Sequence, residues 1–418
     1  MPFATNTPDL AAETITHPGY NVSYYEFTQR PLSDSCWATQ TGPDGRIYAA
    51  ACTEKTGGET ATVVRYNHET DALDYLFDLD EVTGDLRDSG RATQCKVHYS
   101  FAPDAETGML YCATHLSGPP KGDKHYNPWA AWHDPVKAFR GAYLVAYDTF
   151  RDQIHDAVLM IPKEGCRCLC HDPRRRRLYA VTYPRDHFVW YDLDTGELHD
   201  AGRLGSVNTQ CLFSDSAGCI YTFIDSGRMI RFDPDRDRIE ELAWTYPHAR
   251  CQSDWHGVLY DAVQDPASEA VYMIPWKSRP HLARFHPDAG PEGCLEDLGG
   301  LTDPADDRTP VGVNQDHVGG LVFGPDGRLH YVKSRIWREG REFRAQGILC
   351  RMDTETLEHE DLCTVQGGNG PNYYVARAAV GTDGDFYMGK ILANPAGIYR
   401  IEVATKGANT KNPLRLWG

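Results

Sequence analysis

Two pairs of residues have the types and spacing for acid–base chemistry. His98 and His115 lie at equal distances on either side of one predicted hairpin turn, so they are expected on facing strands. Arg167 and Tyr183 flank a second turn in the same way. An imidazole exchanges a proton near neutral pH, a guanidinium stabilises an anion, and a phenol can donate a proton. Together the two pairs predict a site that moves protons on an anionic substrate.

Further polar residues near these pairs are candidates for substrate binding. They are Gln94, Lys96, His187, Gln210, His317 and Arg377. Amides, imidazoles and a guanidinium suit a polar, anionic, ring-shaped ligand. Gln315 and His317 could also supply two ligands to a divalent metal such as Ca, Mn or Zn, although no second half of such a site is evident. Neither a phosphate-binding glycine-rich loop nor a G-x-S-x-G motif is present.

A sequence repeat predicts the elements that position these residues. A turn followed by a short apolar strand occurs seven times, with these tyrosines in the strand: Tyr48, Tyr111, Tyr179, Tyr221, Tyr272, Tyr331 and Tyr387. Their spacings of 42 to 68 residues match a four-stranded propeller blade with loop insertions. We therefore predict an all-β, seven-bladed β-propeller. In such a fold the first strand begins and the second ends at the same face, so both pairs lie near the mouth of the central channel.

The ends of the chain indicate how the ring closes. The last blade has sequence for only three strands, and the N-terminal segment 1–33 contains a plausible fourth at 20–27. Pairing the two ends would remove two exposed sheet edges. We therefore predict one domain over residues 1–418. Segments 114–141 and 290–315 are interpreted as long insertions, and long ordered loops tend to be functional.

Composition excludes several functional classes. Lys plus Arg total 42 against 59 Asp plus Glu, and the net charge of −17 disfavours binding to nucleic acids and to anionic membranes. No apolar run reaches the roughly 18 residues of a membrane span, and no signal peptide is evident. The odd count of 13 cysteines suggests free thiols in a reducing compartment. We therefore expect a cytoplasmic protein.

One cluster of three cysteines resembles a metal site, but its spacing indicates buried thiols that pack in the core. Cys166, Cys168 and Cys170 alternate by two, so a regular strand would place all three sulfurs on one face. Structural zinc prefers C-x2-4-C pairs with a second half-site elsewhere. We interpret these thiols as buried apolar groups.

With the repeat and the two pairs established, the chain resembles the seven-bladed propeller polysaccharide lyases. It is most similar to ulvan lyases and to the related rhamnosyl-glucuronate lyases. The resemblance covers most of the chain as a blade pattern, and its specific part is three segments: Lys96-Val97-His98, Tyr111 to His115, and Arg177 to Pro184. The two histidines match the family pattern, whereas the family order places Tyr before Arg, which makes Arg203 a second candidate for the arginine.

The resemblance implies β-elimination at a 4-linked uronic acid of a small anionic carbohydrate. Arg167 or Arg377 would neutralise the carboxylate, one of His98 and His115 would take the C5 proton, and Tyr183 or the other histidine would protonate the leaving oxygen. The alternatives are a metal-dependent oligogalacturonate lyase, a glycoside hydrolase or a sugar lactonase on the same fold, and a non-enzymatic binding scaffold. The sequence leaves the oligomeric state open between a monomer and a dimer.

Overall fold

The structure, a computed structural model, describes residues 14–205, 209–247, 258–275, 280–302, 317–339, 342–369 and 375–404. This part of the chain forms seven antiparallel four-stranded sheets around one axis, which confirms the predicted seven-bladed β-propeller.

The first fourteen strands are as follows: β1 (Tyr20–Glu26), β2 (Thr39–Thr41), β3 (Ile47–Ala51), β4 (Thr62–Asn67), β5 (Ala72–Asp78), β6 (Phe101–Asp104), β7 (Met109–Ala113), β8 (Gly141–Asp148), β9 (Gln153–Pro162), β10 (Gly165–Asp172), β11 (Arg177–Tyr183), β12 (His187–Asp192), β13 (Leu198–Arg203) and β14 (Phe213–Ser214). The remaining strands are as follows: β15 (Ile220–Phe223), β16 (Arg228–Asp233), β17 (Arg238–Thr245), β18 (Leu259–Gln264), β19 (Val271–Pro275), β20 (His281–His286), β21 (Cys294–Gly300), β22 (Val318–Phe323), β23 (Leu329–Glu339), β24 (Glu342–Met352), β25 (His359–Val365), β26 (Val375–Val380), β27 (Phe386–Lys390) and β28 (Gly397–Val403). Two short helices, α1 (Leu79–Thr83) and α2 (Pro128–Ala131), lie in the connections.

The blades follow the chain order, and the N-terminal strand closes the ring. Six sheets each contain four consecutive strands, beginning with β2, β6, β10, β14, β18 and β22. The seventh sheet has the order β1-β28-β27-β26. Strand β1 pairs antiparallel with β28 from Tyr20 opposite Val403 to Glu26 opposite Gly397. The first and last segments therefore cover each other's edges, as the sequence predicts.

The repeated tyrosines lie in the second strand of each blade and are buried there. Several of them bind the turn that precedes their own strand. The Tyr48 hydroxyl donates to Oδ2 of Asp44 at 3.0 Å, and the Tyr221 hydroxyl donates to Oδ2 of Asp215 at 2.8 Å. Gly45 adopts a φ of +78° in the first of these turns, a conformation that favours glycine. The repeat thus encodes both the core side chain and the turn it anchors.

The two predicted insertions differ in the structure. Residues 114–141 form an ordered connection between β7 and β8, which includes α2 and packs Leu116 and Phe139 against Ala92. The 290–315 segment is only partly an insertion, because residues 294–300 form β21, the outer strand of the fifth blade. Positions 303–315, with Gln315, lie outside the described residues.

The three clustered cysteines are buried and free, but the prediction that they share one face is wrong. A bulge between Cys166 and Cys168 interrupts the alternation of β10. Cys168 and Cys170 therefore pack into one hydrophobic cluster, while Cys166 lies on the side of Leu169 in another. Among the described residues, no helix has the length and hydropathy needed to cross a membrane.

Candidate functional site

The structure brings the two histidines of the second blade together. The ring centroids of His98 and His115 are 5.9 Å apart, and their planes are inclined by 71°. The backbone register differs from the predicted one, because the N–H of His115 donates to the carbonyl of Lys96, at 2.7 Å, and not across to His98. The predicted register holds only within the strands, where Phe101 pairs with Cys112.

Arg167 and Tyr183 are also in contact, although not as facing residues. Tyr183 pairs with Gly165, and Arg167 is the extra residue of the bulge in β10. The bulge turns the guanidinium over the phenol ring, with Cζ 4.6 Å from the ring centroid. The Tyr183 ring in turn lies 5.2 Å from the His115 ring, in an edge-to-face arrangement. The four predicted catalytic side chains, those of His98, His115, Arg167 and Tyr183, therefore form a continuous group, the four central side chains.

Arg167 is a buried cation without an acidic partner. Its Nη1 donates to Oε1 of Gln210 at 3.4 Å, and none of the described carboxylates lies within 4.0 Å of its guanidinium. Burial lowers the pKa of Arg167, but a guanidinium stays protonated in proteins. Because a buried charge normally has a counter-charge, the group is suited to receive an anion.

The hydrogen bonding of His98 defines its tautomer. Nδ1 lies 2.9 Å from the carbonyl oxygen of Arg167, and a carbonyl only accepts, so Nδ1 carries the proton. The neutral ring therefore has its lone pair on Nε2, which is buried and has no hydrogen-bond partner. Burial lowers the pKa of His98 well below its usual value, and the nearby charges of Lys96 and Arg167 lower it further. The ring is thus a neutral base at physiological pH.

His115 has a similar environment. Burial lowers its pKa well below the usual value, with Arg167 and Lys96 acting in the same direction. Its Nδ1 faces the backbone of Gly165, where a Cβ atom would lie 2.2 Å from this nitrogen. Glycine at this position therefore allows the imidazole to pack directly against β10.

Residues of the first blade complete the site, and the sequence analysis missed them. The Trp37 indole stacks on His98, with centroids 4.7 Å apart and planes inclined by 21°. Nζ of Lys96 lies 4.2 Å from the Trp37 centroid and 3.2 Å from Oε1 of Glu54. Glu54 also accepts a hydrogen bond from the indole N–H. Burial acts to raise the pKa of Glu54, but the charge of Lys96 and the hydrogen bonds that Glu54 accepts together lower it.

The predicted binding residues divide into two groups. Gln210 accepts a hydrogen bond from Arg167. The Lys96 carbonyl accepts from the His115 N–H, and the Lys96 ammonium lies beside Trp37. Gln94 has other partners, because its amide donates to Asp85 and to the Gly141 carbonyl and accepts from Thr114. These bonds occupy both ends of the amide, so Gln94 is part of the scaffold.

His187 also has a protein partner, since its Nδ1 lies 2.8 Å from Oδ2 of Asp200 on the neighbouring outer strand. His317 lies farther around the ring, where its Nε2 is 3.2 Å from the carbonyl oxygen of Val375. Its ring meets the edge of Tyr260 at 4.7 Å.

Arg377 belongs to a buried cluster in the channel. Its Nε lies 3.6 Å from Oδ1 of Asp261, and its Cζ lies 5.2 Å from the Tyr99 ring. Burial raises the pKa of Asp261 to about 6 against the opposing effect of Arg377. Arg377 and His98 line one narrow cleft together with Trp37 and Tyr99. Since Arg377 already has a counter-charge, Arg167 is the better candidate to bind a substrate anion.

No metal site emerges from the described residues, in which no three His, Cys, Asp or Glu side chains are grouped to hold an ion. Gln315, the second residue of the predicted metal pair, lies outside this part of the chain.

Comparisons with known proteins show the fold. No protein-family model matches the chain, and no curated protein matches its sequence. Among solved structures, the WD40 repeats of RRP9 align with a TM-score of 0.55 at 10% identity, covering 94% of this chain and 99% of that one. A catalytically inactive virginiamycin B lyase from Staphylococcus aureus, with quinupristin, aligns with a TM-score of 0.53 at 8% identity, covering 92% and 99%.

A third structure is the extracellular domain of a proposed one-component system from B. thetaiotaomicron, with a TM-score of 0.55 and 10% identity. The alignment covers 93% of this chain but spans only 40% of that longer chain. WD40 repeats, an extracellular domain and a virginiamycin B lyase thus all share this shape. At these identities the likeness shows a common seven-bladed propeller architecture.

Proposed function

We propose that this propeller is a carbohydrate lyase that cleaves the bond to a 4-linked uronic acid by β-elimination. The observation that carries the proposal is the buried guanidinium of Arg167, with none of the described carboxylates within 4.0 Å, beside two neutral imidazoles. A uronate supplies the missing anion, and its C5 proton is the one that a neutral histidine can remove. The resemblance of the His98 and His115 segments to the propeller polysaccharide lyases supports the same reaction.

The side chains have distinct roles in this reaction. Arg167 binds the substrate carboxylate and stabilises the negative charge that develops when the C5–H bond breaks. Nε2 of His98, with its free lone pair, accepts the C5 proton. The electron pair of the broken C5–H bond forms the C4=C5 double bond as the C4–O bond breaks, and the Tyr183 hydroxyl protonates the leaving oxygen. His115 lies between the base and the acid and contacts both rings.

The structural neighbours add no activity to this argument. The virginiamycin B lyase is a lyase by name, and the other compared structures are WD40 repeats and the extracellular domain of a proposed one-component system. The proposal therefore depends on the site and on the resemblance of the His98 and His115 segments. A non-enzymatic scaffold would have no use for a buried arginine without a counter-charge next to an unpartnered imidazole nitrogen.

The test is the ultraviolet absorbance of the unsaturated uronate product. The protein is incubated with glucuronate-, iduronate- and galacturonate-containing oligosaccharides, including rhamnosyl-glucuronate. A rise in absorbance supports elimination and identifies the sugar. A new reducing end without the absorbance would establish hydrolysis instead, and no reaction on any substrate would contradict the proposal.

Variants at His98 connect the reaction to the site. His98→Ala is expected to lower turnover by about 100- to 10,000-fold, the usual contribution of a general base. The matched control is His171→Ala, because His171 is also buried and its Nδ1 lies 3.3 Å from a backbone carbonyl, that of Pro103. Equal activity of the two variants would place the chemistry elsewhere.

A further inference from the structure

We propose that the 114–141 connection carries a second sugar-binding subsite, in which Trp129 and Trp132 stack on a ring of an acidic oligosaccharide. The identity of the sugar rests on the proposed function, and the inference extends that function from the reacting residue to a neighbouring one. Neither tryptophan is among the four central side chains, although His115 begins the same connection.

The two indoles form an exposed aromatic platform. Their ring centroids are 6.3 Å apart, with planes inclined by only 25°, and Trp129 is 54% exposed. The Asn127 side chain fixes the start of α2 by accepting hydrogen bonds from the backbone of Trp129 and Ala130. Adjacent exposed aromatic side chains mark a binding surface more often than a single one does, and an indole face is flat and apolar enough to pack on the C–H face of a pyranose ring.

The charge next to the platform selects an acidic sugar. The Arg185 guanidinium lies 4.9 Å from the Trp132 ring centroid, and the Lys163 ammonium lies 5.7 Å from it. Arg185 is paired with the buried carboxylate of Glu164. Lys163 is exposed; among the described residues its ammonium donates to the Trp132 carbonyl at 3.5 Å and has no carboxylate within 4.0 Å. In a chain of net charge −17, this free cation favours a uronate on the platform.

The two cations beside the platform are close in the chain to residues of the proposed site. Lys163 is two residues from Gly165, which packs on His115, and Arg185 is two residues from Tyr183. Two residues span at most about 7 Å. One oligosaccharide of a few residues can therefore contact the platform and the four central side chains together.

The test measures binding of a glucuronate-containing tetrasaccharide and disaccharide by calorimetry. All proteins carry His98→Ala, so that turnover does not consume the ligand. Trp129→Ala and Trp132→Ala are each expected to weaken tetrasaccharide binding by about tenfold and to leave disaccharide binding unchanged. Lys163→Gln is expected to weaken tetrasaccharide binding several-fold at low salt and less at high salt. The matched control is Phe150→Ala, an aromatic that is 68% exposed in the turn between β8 and β9.

The outcomes separate this inference from the proposed function. Tetrasaccharide binding that is equally strong in the tryptophan variants and in Phe150→Ala overturns the subsite, even where wild-type protein yields the unsaturated product. Tryptophan-dependent binding without any unsaturated product supports the subsite and overturns the lyase assignment. An unchanged affinity in Lys163→Gln overturns the preference for an acidic ring. Absence of tetrasaccharide binding overturns the subsite outright.

Discussion

The Trp37 indole lies nearly parallel to the His98 imidazole, 4.7 Å away between centroids. The stack holds the plane of the ring, while the hydrogen bond from Nδ1 to the Arg167 carbonyl holds its rotation. A base fixed in both respects presents Nε2 in one direction, which is the preorganisation that proton abstraction requires. Trp37 is itself held by Glu54, which accepts its indole N–H.

Glu54→Gln is expected to lower the free energy of unfolding by about 2 kcal/mol. The substitution removes the counter-charge of Lys96, which is buried, and an unpaired buried charge is costly. Denaturant unfolding measures the effect. The control is Glu197→Gln, because Glu197 is paired with His199 at the surface and such pairs contribute little. Adding Lys96→Met to Glu54→Gln is expected to recover most of the lost free energy of unfolding. Equal stability of Glu54→Gln and Glu197→Gln would contradict the argument.

Gly165→Ala is expected to lower the rate at which the unsaturated product forms by at least about tenfold while the protein stays folded. The new Cβ would lie 2.2 Å from Nδ1 of His115, so the imidazole has to move. A displacement of about 1 Å in a catalytic group costs up to roughly a hundredfold. Turnover and thermal unfolding are measured together.

The matched control for this substitution is Gly300→Ala in the outer strand β21. A Cβ at Gly300 has no heavy atom closer than the His281 ring, at 3.9 Å. Full activity in Gly165→Ala would show that the position of His115 is unimportant.

The sequence predicts the architecture well because its signal is repeated seven times. Each buried tyrosine, with its turn, marks the second strand of a blade. The details at the site are less predictable, since a bulge adds one residue and has no sequence signature. Arg167 occupies such a bulge. The sequence therefore predicts its contact with Tyr183, but the predicted pairing of the two residues across the strands is wrong. Trp37 and Glu54 were missed because they come from the neighbouring blade, and pairing rules within one hairpin carry no information about contacts between blades.

Acid is expected to destabilise the protein between about pH 6.5 and pH 4. Burial lowers the pKa of His317 to about 4 from its usual value of 6.5, so the folded state binds fewer protons than the unfolded state in this interval. The stabilisation is complete above pH 6.5 and is lost as the pH falls, by about 3 kcal/mol for this residue. His98 and His115 act in the same direction, because burial lowers their pKa values too.

Denaturant unfolding across this pH range measures the effect. His317→Gln keeps a donor for the Val375 carbonyl but cannot titrate, so its unfolding free energy is expected to fall less steeply with acid. His125→Gln, at an exposed histidine, is the control and is expected to follow the wild type. A His317→Gln profile parallel to the wild type would contradict the assignment.

Tyr183→Phe separates proton donation from the binding of the substrate anion. The ring keeps its contacts with Arg167 and His115, so the site keeps its shape and its positive charge. Only the hydroxyl that protonates the leaving oxygen is lost. We therefore expect kcat for the unsaturated product to fall by about a hundredfold or more with KM little changed. Tyr191→Phe, on the third strand of the same blade, β12, is the control and is expected to retain full activity. A rise in KM with normal kcat would instead make Tyr183 a binding residue and would contradict its role as the proton donor.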